Sequence, residues 1–530
     1  MTQVIEPRPK VNKWLVTVSI TFGTLMGAID ASIVNVALPQ IRGAVGATMQ
    51  EITWIATGYA IALVIIMPLT AFLGRLFGQK RVYLASLVLF IAGSALCGTA
   101  HTLASLVVFR VLQGIGAGAL QPTEQAILRQ TFPPEEQGMA MALFGMAVML
   151  GPALGPTLGG YIVDHSHWSW IFFINVPVGL LGLFMVMSFV HEDEGIRAAN
   201  QRLAEAQRRN VDWWGIGLMA IGLTCLQYFL EEGQRDDWFE SRTISLVFAV
   251  ALVALTAFII RELTAEVPAV NLRLFKEPVF ASGTLVGGLM FSMLMANMFL
   301  LPLFMQEMLG FTATQSGLSL MPRVLVMMVV TPIVGRIYNK VPPQLVIGIG
   351  IVLVALGSIN LGWLTLDSGQ YDIVVPIMVQ GIGFACLFVP LTTLALSRVP
   401  RHRLADATGL NSLVRQVGGA IGLSIFATLL TNHRTVAEAG LAQQLGATRP
   451  EVAQRLYGIQ QGFATGGMDA VDAHATAMRF IEGSVTRQAM VLSFEWVFLL
   501  AGALFLAVIP LLWFLKSGPA GAHPPDQLEV

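Results

Sequence analysis

Charged side chains are scarce in this 530-residue sequence: they make up 12% of it, against about 25% in an ordinary soluble domain. The two signs nearly cancel, 31 Lys and Arg against 32 Asp and Glu, so no overall basic field points to nucleic acid. Cysteine occurs three times, at Cys97, Cys225 and Cys386, each within an apolar run, which argues against a disulfide framework or a thiolate metal cluster. There is no G-x-x-x-x-G-K-[ST] phosphate loop, and the connectors are too small for an ATPase domain. The His-Glu-x-x-His zinc motif and the G-x-S-x-G elbow are absent too. An enzyme is therefore not expected, and neither a metal nor a cofactor is called for. A channel or receptor finds no selectivity-filter-like run and no ligand domain to rest on.

Apolar residues are what the chain has in excess, at 55%, and they come in runs of about twenty, the length that crosses a bilayer as a helix. The fold class is an all-α polytopic membrane protein. Fourteen spans are read, near 14–38, 52–73, 82–100, 103–130, 139–162, 170–190, 211–230, 243–262, 279–303, 315–338, 344–364, 373–397, 407–431 and 492–515. The first is too long for a signal peptide and is followed by many more, so it is expected to stay as a helix. Basic residues cluster on one side (Arg75, Lys80, Arg81, Arg208, Arg209, Arg336, Lys340, Arg401, Arg403), while short connectors on the other hold only Arg42, Arg235 and Arg242. Both termini are thus expected in the cytoplasm. A charged connector at 191–210 reads as a solvated linker. The one long outer segment, 431–490, is rich in Ala and Gln and reads as partly helical.

The chain repeats itself. "LQGIG" at Leu112–Gly116 returns as "VQGIG" at Val379–Gly383, and "GPALG" at Gly151–Gly155 returns at the same offset as "GGAIG" at Gly418–Gly422. "GRLFGQK" after the second span echoes "GRIYNK" after the tenth at a shorter offset. Spans 1–6 therefore correspond to spans 9–14, a 6+2+6 arrangement. The expected organisation is a tail at 1–13, a six-helix bundle at 14–190 and a linker with two extra spans at 191–278. A second bundle at 279–515 and a tail at 516–530 complete it. Paired six-helix halves place a substrate site between the repeats near the midplane.

Asp30 is the most deeply placed acid, roughly 13 Å from the outer end of its helix at 1.5 Å per residue. Arg110, on the fourth span, falls at similar depth. Burial and a nearby cation act on a carboxylate's proton affinity in opposite directions, and their balance is what a proton-coupling acid needs. The alternative is a permanently ionised structural pair. Gly151, Gly155 and Gly159 form a small-residue stripe, and Pro152 and Pro156 can bend the helix between them. The fifth span is then expected to seal the interface between the halves and to hinge there, with ordinary tight packing as the alternative. Glu124, near the cytoplasmic end of the fourth span, divides between a cavity role and interfacial solvation. Asn35, Gln113 and Gln380 are further cavity candidates. Arg323 and Arg415 divide between substrate contact and bundle pairing or snorkelling. The methionines of the ninth span (Met290, Met293, Met295, Met298) suit an adaptable cavity, although lipid-facing filler is the commoner reading.

Several stretches carry a family resemblance over nearly the whole chain: "DASIVNVALP" (Asp30–Pro39), "RVLQGIGAG" (Arg110–Gly118), "GPALGPTLGG" (Gly151–Gly160) and "WSWIFFINVPVG" (Trp168–Gly179). Together they resemble the fourteen-helix drug:proton antiporter family of the major facilitator superfamily, and its EmrB-type multidrug exporters most. One departure is local. In "AFLGRLFGQKR" the family's leading glycine and aspartate are Ala71 and Arg75, while Gly78, Lys80 and Arg81 keep the pattern. This puts the usual cytoplasmic charge latch between the halves in question. The resemblance implies a proton-driven antiporter in the bacterial inner membrane that exports small amphipathic drugs by alternating access. Export of an endogenous lipid, fatty acid or metabolite is the alternative. It also implies a periplasmic membrane-fusion adaptor of the EmrA type and a TolC-like outer-membrane channel as partners. The segment 431–490 is then expected to dock the adaptor or guide substrate to it, with a tolerated insertion as the alternative.

Overall fold

The computed structural model describes residues 12–191, 211–445 and 449–515. The charged connector beyond His191, with Arg208 and Arg209, lies outside the described residues, as do both tails and the side chain of Pro152. Among the described residues there are fourteen helices long and apolar enough to cross a membrane. They are α1 (Lys13–Val45), α2 (Trp54–Phe77), α3 (Gln79–Gly98), α4 (Leu103–Thr131) and α5 (Gln137–His165). Next come α6 (Trp170–Phe189), α7 (Trp213–Glu232), α8 (Arg242–Thr264), α9 (Pro278–Glu307) and α10 (Ala313–Ile337). The last are α11 (Pro343–Leu361), α12 (Gln370–Ala395), α13 (Leu404–Gln444) and α14 (Ala470–Leu506).

Local chemistry fixes several starts. Thr102 and Ser105 cap α4 reciprocally, and Thr312 and Gln315 do the same for α10. Prolines lie inside α2, α4, α10 and α12 (Pro68, Pro122, Pro322, Pro332, Pro376 and Pro390), where neighbouring helices cover the backbone groups they free.

The packing obeys a pseudo-twofold. Within the halves α1 lies on α5 as α9 lies on α13, and α4 touches α2 and α3 as α12 touches α10 and α11. Between them α2 meets α13 as α10 meets α5, and α4 meets α13 as α12 meets α5. The repeat is not in one register. Added Cβ atoms at Gly151 and Gly155 would meet Ala28 and Ser32, and those at Gly418 and Gly422 would meet Gly288 and Ser292. The first helix of each half is therefore matched at a shorter offset than the fifth, and Asp30 falls opposite the buried, apolar Met290. The two inserted helices pack together, and α7 lies against α2 and α13 at the seam. Gln234 donates to Ala427 O and Thr431 Oγ1, and the indole of Trp238 to Thr428 Oγ1.

The segment 431–490 is largely helical, as its composition suggested, and two expectations are corrected: the ends of spans 13 and 14, and the role of the glycine stripe. Helix α13 runs on to Gln444, a short helix spans Pro450–Thr465, and α14 begins at Ala470. Apolarity stops at the bilayer edge, but an Ala-, Gln- and Glu-rich sequence continues the helix beyond it. The glycine stripe of α5 faces α1 of its own half and does not form the seal between halves. That seal lies about two to four turns before Gly151, where a Cβ at Gly138 would stand 2.7 Å from Gly335 O and one at Gly145 would strike the Phe388 ring.

Candidate functional site

Helix α1 must carry Asp30 through the interior of a half, and two helices supply three donors for it. Arg110 Nη1 of α4 lies 2.6 Å from Asp30 Oδ2. Gln113 Nε2, one turn on, reaches Oδ1 at 2.8 Å, and Asn175 Nδ2 of α6 reaches the same atom at 2.9 Å. Asp30, Arg110 and Gln113 are 0%, 1% and 0% exposed. Arg110 also donates to Gln113 Oε1 and Ile55 O, and Gln113 to Ser94 Oγ. The guanidinium sits over the Tyr59 ring at 4.1 Å. Every contact to the carboxylate is an N–H donor, two on Oδ1 and one on Oδ2, the pattern an ionised carboxylate accepts. A buried pair of this kind is held by complete hydrogen bonding, and removing one member leaves an uncompensated charge.

Asn175, Ser94 and Tyr59 did not emerge as candidates from the sequence. Asn175 had a signal: it is the polar residue in "FFINVP", inside an otherwise apolar run. The second half has no such acid. Gln380 donates to Ser358 Oγ at 2.9 Å, as Gln113 does to Ser94, but Met290 stands where Asp30 would be.

The other candidates scatter. Glu124 is 0% exposed, which removes the interfacial-solvation reading; its Oε1 accepts from Thr21 Oγ1 at 3.2 Å, and Oε2 has no partner. Asn35 is exposed on α1, apart from the Asp30 cluster. Pro156 is half-buried on α5. Arg323 and Arg415 are buried between the halves, not snorkelling to the surface. A cavity of about 10 Å³ at the seam is lined by Arg323 of α10, Val148 and Met149 of α5, and Phe291, Met295 and Met298 of α9. With Met290 and Met293 also buried, the methionines of α9 are interior, not lipid-facing filler.

The face of the bundle at which α1 begins is closed. Arg75 Nη1 lies 2.6 and 2.7 Å from the two oxygens of Asp406 at the start of α13. The charge latch questioned at Arg75 is therefore present with its sign inverted, because the acid has moved to the other half. Beside it Arg129 donates to Leu396 O at 2.7 Å, and Asn339 donates to Glu135 O.

Two pseudo-symmetric six-helix halves, latched at one face and enclosing charged groups near mid-depth, define a membrane transporter and not an enzyme. A family model described as Major Facilitator Superfamily matches residues 20–423. The multidrug export protein EmrB of Escherichia coli (strain K12) is 34% identical over 518 residues, covering 96% of this chain and 98% of its own. The fatty acid resistance protein FarB of Neisseria gonorrhoeae is 34% identical over 507 residues, covering 94% and 96%. Among solved structures, the proton:xylose symporter XylE aligns with a TM-score of 0.59 over 94% of this chain and 96% of its own, at 13% identity, a likeness of fold alone. The chain belongs to the major facilitator superfamily and, within it, to the group of EmrB-type export proteins.

Proposed function

We propose that this transporter exports amphipathic, drug-like compounds by alternating access, in exchange for protons that Asp30 carries. The carrying observation is Asp30 itself, fully buried and held by three donors from α4 and α6. Arg110 and Gln113 of α4 bond the carboxylate that would take the proton, which ties its protonation to the α1–α4 contact. The names of the EmrB relatives support multidrug export, and the name of the FarB relative keeps fatty acid export as the second reading. A bacterial inner-membrane location goes with this reading, and the distribution of Lys and Arg supports both termini in the cytoplasm. The latched face is then the cytoplasmic one. An EmrA-type adaptor and a TolC-like channel are the partners that would carry substrate onward, and the helical extension on the opposite face is where they would meet the protein.

The test is Asp30→Asn in proteoliposomes. Asparagine keeps an oxygen for Arg110 but carries no charge and binds no proton. Gradient-driven efflux should be lost while gradient-independent substrate exchange survives, with a lower unfolding temperature because Arg110 is left uncompensated. Undiminished gradient-driven efflux would exclude Asp30 as the coupling group.

A further inference from the structure

Among the described residues three buried arginines at the seam have no carboxylate partner: Arg129, which donates to Leu396 O at the latched face, and Arg323 and Arg415. Arg323 and Arg415 are 2% and 4% exposed, and Nε and Nη2 of Arg323 and Nη1 of Arg415 are buried without a hydrogen-bond partner. The buried carboxylates among the described residues are Asp30, Glu124, Asp212, Glu232, Glu262 and Asp406, and none forms an ion pair with either arginine. The contrast with Arg110 and Arg75, each on its own aspartate, is direct. A buried charge without a partner is costly, so a fold that keeps Arg323 and Arg415 without one is expected to have something else neutralise them.

What surrounds them narrows the choice. The Arg415 guanidinium lies 5.4 to 5.9 Å from the ring centres of Phe144, Phe291 and Phe388, and that of Arg323 lies 4.9 Å from that of Phe384. Aromatic contacts of this kind compensate part of the charge but leave N–H edges open, and those edges match a carboxylate in planar, bidentate fashion. Phe291 belongs to both sites, since it also lines the cavity beside Arg323 with Met295, Met298 and Met327. Flexible thioethers and rings accept apolar bodies of varied shape. At about 10 Å³ the cavity holds a water at most, and its walls come from both halves, so a larger guest fits only when the halves part.

We infer that Arg323 and Arg415 form the head-group site of the translocation pathway and select amphiphiles bearing a carboxylate, while the Phe and Met walls take the apolar body. The inference rests on the export reading and names the charge class of its substrate. Cations of equal apolar size are excluded by two like charges in a low-dielectric site.

The test is a gradient-free competition assay on the purified full-length protein in phosphatidylcholine nanodiscs, with radiolabelled dodecanoate as probe. Unlabelled dodecanoate and 2-naphthoate should compete, and dodecyltrimethylammonium should not; the stronger carboxylate tells an aliphatic source from an aromatic one. Arg323→Gln and Arg415→Gln should each weaken dodecanoate binding by about tenfold or more, and the corresponding Lys variants by less. Equal competition by the ammonium and the carboxylates, or unchanged binding by both Gln variants, overturns the site. The wild-type competition decides the matter even where a Gln variant does not fold. Carboxylate-selective binding without gradient-driven efflux would sink the export reading and leave the site standing. Efflux of other compounds without carboxylate selectivity would do the reverse.

Discussion

The α1–α5 contact sets the position of Asp30, and one methyl group is enough to disturb it. A Cβ at Gly151 would lie 2.2 Å from Ala28 Cβ and 2.4 Å from Ala28 C, a backbone atom that no side-chain rotation can move. Restoring ordinary contact requires α1 to retreat by about 1 Å, an overpacking that costs about 1–3 kcal/mol. Asp30 lies two residues from Ala28, and its donors stand at 2.6 to 2.9 Å, so the same retreat lengthens those bonds. At Gly155 the clash is of another kind: 1.8 Å to Ser32 Oγ and 2.8 Å to Ser32 Cβ, but 3.0 Å to the backbone at Ile33 N. Gly151→Ala should therefore lower both thermal stability and gradient-driven efflux, and Ala28→Gly should not rescue it, because the backbone clash remains. Gly155→Ala should be milder, and Ser32→Gly should largely restore it. Thermal unfolding in detergent and efflux from proteoliposomes, run on both double-mutant cycles, read this out. Wild-type behaviour of Gly151→Ala, or full rescue by Ala28→Gly, would refute the claim that backbone approach at this stripe holds Asp30 in place.

Two further perturbations bear on the latch and on Glu124. Asp406→Asn should weaken closure of the face where α1 begins and raise cysteine-labelling rates there; the exchange Arg75→Asp with Asp406→Arg should restore closure, and no change in labelling for the single variant would deny the latch a role. Glu124→Gln keeps the shape of a side chain that has one hydrogen bond and one unpartnered oxygen, so unfolding temperature should hold while gradient-driven efflux falls; unchanged efflux would reduce Glu124 to a packing residue.

What could be read in advance divides along physical lines. Span number follows from hydropathy, because the bilayer demands a continuous apolar length whatever the tertiary packing, and all fourteen helices stand where the runs are. Asp30 and Arg110 were legible because charge at such depth is rare. What a side chain faces was not legible. The stripe at Gly151, Gly155 and Gly159 announces a close approach without naming the partner, and the partner is α1. Arg75 looked like a lost latch because its acid, Asp406, lies over three hundred positions away in the other half. The repeat motifs of α4 and α5 share one offset, but α1 and α9 are matched at another, so only the structure shows that Met290 replaces the acid. Helix ends beyond the membrane were missed for a related reason: hydropathy reports the solvent, whereas the backbone of α13 continues through a change of solvent.

That continuation gives the extension on α13 and α14 a mechanical character that a loop would lack. From Thr431 to Gln444 the helix rises about 21 Å, and from Ala470 to Ala489 α14 covers about 30 Å, comparable to the apolar thickness of a bilayer. Its base is clamped: His433 stacks on Trp496 with ring centres 4.8 Å apart and bonds Ser493, and Arg487 Nη2 donates to Met308 O at 2.6 Å. The helix Pro450–Thr465 packs on α14, with the Phe463 and Phe480 rings 6.5 Å apart. Further out, Val436, Tyr457, Val471, Met478 and Phe480 are half or more exposed. Replacing Ala437–Thr476 with a short Gly-Ser turn keeps His433, Arg487, Ser493 and Trp496, so the bundle should fold and transport normally in proteoliposomes. In cells with two membranes the same replacement should reduce resistance and weaken co-purification of an EmrA-type adaptor. Retention of both would show that these helices are a tolerated insertion and would move adaptor docking elsewhere; loss of transport in proteoliposomes would instead make the extension part of the transport cycle itself.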